Sequence, residues 1–198
     1  MAVERNSGEA SPLTEEQARA QMETNLFGAL WVTKAALPHL CEQGSGHIIQ
    51  VSSVGSLVAN PALGMYHASK WALEAFSQSL AGEVAELGIK VTIVESGGFA
   101  TDWGGRSAVH ASPLSRYDDL REDRAAWRSS FAPGDPEATG AAILEVVDAK
   151  EPPLRIFLGD HGLELVRREY VRRLATWEQW DAVARAAQGN RIPERVAV

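Results

Sequence analysis

Apolar residues first recur at helical spacing between Thr14 and about Leu37, where Met22, Leu26, Trp31 and Ala35 fall near one face. Thr14 suits the N-cap, Glu15 and Glu16 occupy the first turn where the helix dipole favours acid, and Pro38 marks the predicted stop. The turn EQGSG (42–46) leads into HIIQVSS (47–53), a short apolar run that predicts a buried strand. A loop with Gly55, Pro61 and Gly64 follows. A second helical pattern then runs from Met65 to Leu87, with Leu73, Phe76, Leu80 and Val84 in step, and Gly88 ends it. IKVTIVE (89–95) predicts a second strand. Residues 96–135 are polar and rich in Gly, Ser and Asp, with a helical piece near 117–130. Pro136 opens a helix to about Ala149, LRIFLG (154–159) predicts a third strand, and Leu163, Val166, Tyr170, Leu174 and Trp177 mark a last amphipathic helix to about Ala187.

Helices and strands alternate, and the strands are apolar throughout rather than in every second position. Both features predict an α/β fold whose parallel sheet is covered on both faces. Three strands are few for so much helix, so the sheet reads as part of a larger one. Residues 1–13 are small and polar and read as a loose arm; 188–198 read as a tail. A chain of 198 residues with 45% hydrophobic residues can build one core. The net charge of −7 argues against nucleic acid or an anionic membrane as partner, since both select a basic surface. Cys41 is the only cysteine, and no apolar run approaches the ~20 residues that span a bilayer. The expectation is a cytoplasmic protein.

Candidate chemistry centres on Tyr66 and Lys70. Their spacing places both on one face of a helix. A phenol ionises near ~10 in water, and a neighbouring ammonium would lower that value toward the range of a working acid and base. Ser53 closes the first strand, and ligands gather at the C-terminal ends of parallel strands. Its neighbour Ser52 should face the other way by strand alternation. The five histidines show no metal-ligand spacing, no metal is expected, and His67 reads as a helix-surface residue. Arg167, Arg168, Arg172 and Arg173, interspersed with acids, read as a solvated helix face. No Gly-x-Ser-x-Gly is present, which weighs against a serine hydrolase.

Asn25 in METNLFG, Ser53 in IIQVSS, Tyr66 and Lys70 in YHASK, and VTIVESGGFATDW (91–103) stand in an order that resembles the short-chain dehydrogenase/reductase family over residues 14–187. The resemblance implies a partial Rossmann-like, doubly wound parallel sheet and an oxidoreductase. Hydride would pass between NAD(P)(H) and a small alcohol or carbonyl substrate. It assigns proton transfer to Tyr66. Lys70 would tune that tyrosine and bind the nicotinamide ribose, Ser53 would orient the substrate oxygen, and Asn25 would hold a relay water. Gly97 and Gly98 would let backbone approach the nicotinamide, and Thr101 would bind its carboxamide. The family usually has proline where this chain has Ser96, so that turn should be looser. Residues 102–135 would form a substrate lid, with Trp103, Arg106, His110 and Tyr117 as candidate contacts. Trp31 and Trp71 lie on helices (14–37 and 65–87) that pair in dimers of the family; here they either pair in a homodimer or fill the core.

The family begins with a strand, a glycine-rich turn and a helix that receive the pyrophosphate. No Gly-x-Gly-x-x-Gly occurs in this sequence. The chain therefore reads as truncated at its N-terminus relative to the family. It lacks the adenosine and pyrophosphate site, and the strand at 47–53 should show a bare edge. The alternative expectation is a non-catalytic remnant that serves as an oligomerisation or partner-binding module.

Overall fold

The computed structural model describes residues 13–105 and 115–189. Helix α1 (Glu15–Met22) starts on a capping box: Gln17 N–H donates to the Thr14 hydroxyl, and the Gln17 side chain accepts from Thr14 N–H. A π-helical turn (Glu23–Phe27) joins it to α2 (Gly28–Gln43). Helix α2 runs through Pro38, the predicted stop, and ends at Gly44 in the left-handed conformation. Proline forfeits one backbone hydrogen bond, but Leu37 and Leu40 on either side of it pack against the core, and that burial carries the helix onward.

Strand β1 (Gly46–Val51) is followed by a 3-10 turn (Val54–Ser56) and α3 (Gly64–Val84). Strand β2 (Ile89–Ser96) leads to the region of the expected lid, which includes α4 (Asp118–Ser129). Helix α5 (Thr139–Asp148), β3 (Arg155–Leu158) and α6 (Gly162–Ala187) complete the order. The strands are parallel in the order β1-β2-β3, with Gly46 opposite Ile89 and Ile93 opposite Arg155. This is the three-stranded, helix-flanked sheet of a Rossmann-like fold.

Both faces of β2 are covered. Ile89 and Val91 join Leu80 and Val84 of α3 in a core that Leu37, Leu40 and Ile48 border. On the opposite face Thr92 and Val94 are also buried, and Lys90 donates to the carbonyls of Ala149 and Lys150 just beyond α5. Among the described strands β1 pairs only with β2, so its outer edge is open, and Val51 there is 62% exposed. The ends of the lid region are pinned. Phe99 and Gly134 form a parallel bridge, with Ala100 N–H donating to Gly134 and Gly134 N–H to Gly98. Arg106, His110, the arm (but for Leu13) and most of the tail lie outside the described residues.

Candidate active site

The reactive groups meet where β1 ends and α3 begins. β1 stops at Val51, two residues before the expected end, and Ser53 caps the 3-10 turn that follows. The Ser53 hydroxyl accepts from Gly55 N–H at 3.0 Å and donates to the Ser96 carbonyl at 3.4 Å. It thereby ties the end of β1 to the end of β2. Ser52 points elsewhere: its side chain is buried.

Tyr66, in the first turn of α3, brings its phenol to Ser53. Burial pushes the Tyr66 pKa up, and hydrogen bonding with Ser53 works in the opposite direction. The lowering expected from Lys70 does not appear. Lys70 lies one turn on along the same face, but its ammonium donates to the Val51 carbonyl at 2.8 Å, on the last residue of β1. Burial pushes the Lys70 pKa down, and the carboxylate of Glu74 one turn further pushes it up. Desolvation dominates at both groups, so Tyr66 is held as a neutral phenol at neutral pH.

Asn25 sits inside the π-helical turn. Such turns insert one residue into the helical ladder and re-aim the side chains around them. The Asn25 amide donates to the Ser69 hydroxyl at 3.0 Å, and that hydroxyl donates to the Tyr66 carbonyl at 2.8 Å. Asn25 thus reaches α3 through Ser69, a fully buried residue that the sequence reading missed. The signal was present: Ser69 is three residues after Tyr66, the spacing at which a hydroxyl can bond back to its own helix.

His67 is not a surface residue. It is 5% exposed; its Nδ1 lies 2.6 Å from the Gly55 carbonyl, and its Nε2 accepts from Asn60 N–H. These partners fix the neutral tautomer that carries the proton on Nδ1, and burial lowers its pKa. The loop after β1 folds over this imidazole, which periodicity along α3 alone could not show. Trp103 packs edge-on against the Tyr66 ring at 5.2 Å between centroids, and Arg128 of α4 lies over Trp103 at 6.0 Å.

Below the site, Arg155 of β3 contacts two carboxylates, Glu74 at 3.1 Å and Glu95 at 3.3 Å. Glu74 also accepts from the Ser56 hydroxyl at 2.9 Å. Glu95 is 1% exposed, and burial followed by repulsion from Glu74 pushes its pKa up to about 7 against the attraction of Arg155.

Gly97, Gly98 and Thr101, the residues expected around a nicotinamide, follow the end of β2. A side chain at Gly98 would meet open space, whereas one at Gly97 would press on the Leu158 carbonyl at 3.3 Å. The Thr101 hydroxyl accepts from Trp103 N–H at 3.4 Å and keeps its proton to donate. Ser96 does not slacken this turn: it remains in the ladder opposite Leu158, and its hydroxyl donates to the Ser52 carbonyl at 3.3 Å. No Gly-x-Gly-x-x-Gly turn occurs in the sequence. Among the described residues no group of three or more acidic, histidine or cysteine side chains could hold a metal, and no helix is long and apolar enough to cross a membrane.

A family model described as short chain dehydrogenase matches residues 2–110. Among curated proteins, Oxidoreductase BOA17 of Botryotinia fuckeliana is 38% identical over 176 residues, which cover 85% of this chain and 62% of that protein. A 3-ketodihydrosphingosine reductase of Bacteroides thetaiotaomicron is 36% identical over 150 residues, covering 74% of this chain and 56% of that one. The crystal structure of a short-chain dehydrogenase from Streptomyces avermitilis superposes with a TM-score of 0.84 at 33% identity, over 94% of this chain and 67% of its own. A short chain dehydrogenase from Burkholderia cenocepacia in complex with NADP shares the fold at 22% identity, with a TM-score of 0.62 over 90% of this chain and 68% of that one. The chain thus spans roughly three-fifths of the length of the curated relatives it matches.

Proposed function

This chain belongs to the short-chain dehydrogenase family, and from that membership we propose that it carries the reactive half of an NAD(P)-dependent oxidoreductase acting on a small alcohol or carbonyl compound. One observation carries the reading: the Ser53 hydroxyl, the Tyr66 phenol and the Lys70 ammonium converge at the C-terminal end of β1. The cofactor, when bound, supplies or accepts the hydride. Gly97, Gly98, Thr101 and Lys70 would hold its nicotinamide end.

In the reductive direction Ser53 orients the carbonyl oxygen and Tyr66 donates its proton to that oxygen as negative charge develops there. A pKa raised by burial suits this direction, because the phenol arrives protonated at neutral pH. Lys70 then recharges the tyrosine, either directly or through water, once its ammonium leaves the Val51 carbonyl. Asn25 fixes the spacing of the Tyr66 turn through Ser69. Trp103 walls the Tyr66 ring.

Pyrophosphate recognition supplies charge-assisted hydrogen bonds that Lys70 and Thr101 do not replace. The affinity of the 198-residue chain for NADH or NADPH is accordingly expected to be far weaker than micromolar. Titration of both nucleotides, followed by fluorescence, measures it; binding in the low micromolar range would overturn the expectation. At saturating nucleotide, Tyr66→Phe should retain binding and lose turnover by about 10²–10⁴-fold. Unchanged turnover would remove Tyr66 from the proton path.

A further inference from the structure

Helix α6 carries a stripe at alternating steps of four and three residues: Val166, Tyr170, Arg173, Trp177, Trp180, Ala184 and Ala187. Its first half is seated on the body of the molecule. The Arg173 guanidinium lies 4.7 Å over the Trp71 ring of α3 and 5.6 Å over Tyr170, with its side chain 21% exposed. The second half runs off the body. Every residue from Leu174 to Gly189 is exposed, Trp177 and Trp180 at 62% and 57%. The same face that packs on Trp71 thus continues past the edge of the domain with nothing beneath it among the described residues. A tryptophan offers ~150–250 Å² of burial, and a helical stretch of ~12–15 residues is marginal in water without packing.

We propose that the C-terminal half of α6 is a self-association surface, and that its occupant is the same half-helix of a second copy, packed antiparallel. The sequence of the stripe supports this occupant. With the two-fold axis at Ala182, Trp177 of one copy lies opposite Ala187 of the other, and Trp180 lies opposite Ala184, so each large ring meets a methyl group. Within one copy Arg185 already donates to Asp181, and this register sets it beside Glu178 of the second copy as well. A parallel pairing would instead stack Trp177 on Trp177, Trp180 on Trp180 and Arg185 on Arg185. Antiparallel pairing gives the isologous, closed interface that two-fold dimers use. Trp31 and Val32 of α2 are also exposed and offer the competing surface.

Sedimentation velocity of the 198-residue chain from about 1 to 100 µM tests this, since the dimer fraction must rise with concentration. Trp177→Glu with Trp180→Glu should leave a monomer whose circular dichroism is unchanged apart from the end of α6. Arg185→Glu and Glu178→Arg should each weaken the dimer by about tenfold, and the two together should restore it. Three results would overturn the proposal: a chain that stays monomeric throughout; a dimer indifferent to the α6 variants but dissociated by Trp31→Glu; or a monomer in which an added quencher fails to reach Trp177 and Trp180, which would place another segment of the same chain over them.

Discussion

At the scale of single residues, burial sets the chemistry more than pairing does. Tyr66, His67, Lys70 and Glu95 all shift toward their neutral forms, and desolvation is the largest cause for each. Glu95 gives the sharpest consequence. Its folded pKa of about 7 lies above that of an unfolded glutamate, so the folded state binds the extra proton between the two values. Its contribution is fully present below about pH 4 and is lost as the pH rises through 7. Glu95→Gln should flatten the fall in stability between pH 5 and 8, a change on the order of 1–3 kcal/mol, read from urea denaturation at each pH. A wild-type profile that rises over this range would contradict the assignment. Neither this cluster nor the buried imidazole was legible in the sequence. Arg155 and Glu74 are 81 residues apart in the chain, and His67 owes its burial to a loop whose path no periodicity records.

At the scale of elements, periodicity and turn chemistry located the three described strands and the principal helices, because amphipathic spacing survives wherever a helix lies on a sheet. What it missed are departures from a regular period. The π-helical turn at Glu23–Phe27 breaks the first helical pattern into two, and α2 passes through Pro38. Both features depend on tertiary contacts: the bond from Asn25 to Ser69 for the first, and the seating of Leu37 and Leu40 for the second. If Asn25 holds the π turn against α3 through Ser69, then Asn25→Ala and Ser69→Ala should each cost about 1 kcal/mol, and the double variant should cost less than their sum. Additive losses in urea would show that the two side chains act separately. The expected bare edge of β1 is present among the described strands. Replacing the exposed Val51 by Glu should reduce light scattering of the purified chain on standing while changing its stability by no more than about 0.5 kcal/mol.

For the molecule as a whole, the parallel α/β class and the placing of Ser53, Tyr66 and Lys70 near one strand end follow from local signals in the right sequence order, whereas the strand order comes from the structure. The position of Lys70 does not. Its ammonium lies on the Val51 carbonyl at the open side of β1, a placement that depends on which backbone groups remain unpaired in the assembled sheet. A ligand that competes for that ammonium would have to release it from β1. If the nicotinamide end of a cofactor is that ligand, as proposed, hydrogen exchange at Val51 and Ser52 should respond to its binding even where affinity is weak.

The bridge between Phe99 and Gly134 joins a residue just after β2 to one shortly before α5. Ala100 N–H donates to Gly134 and Gly134 N–H to Gly98, so the two ends of the intervening stretch are held side by side. Described parts of that stretch also rest on the body, Trp103 against the Tyr66 ring and Phe131 against His161. Remodelling this stretch would therefore be felt at the Tyr66 ring as well as locally, because its ends and its aromatic contacts are anchored on the same body.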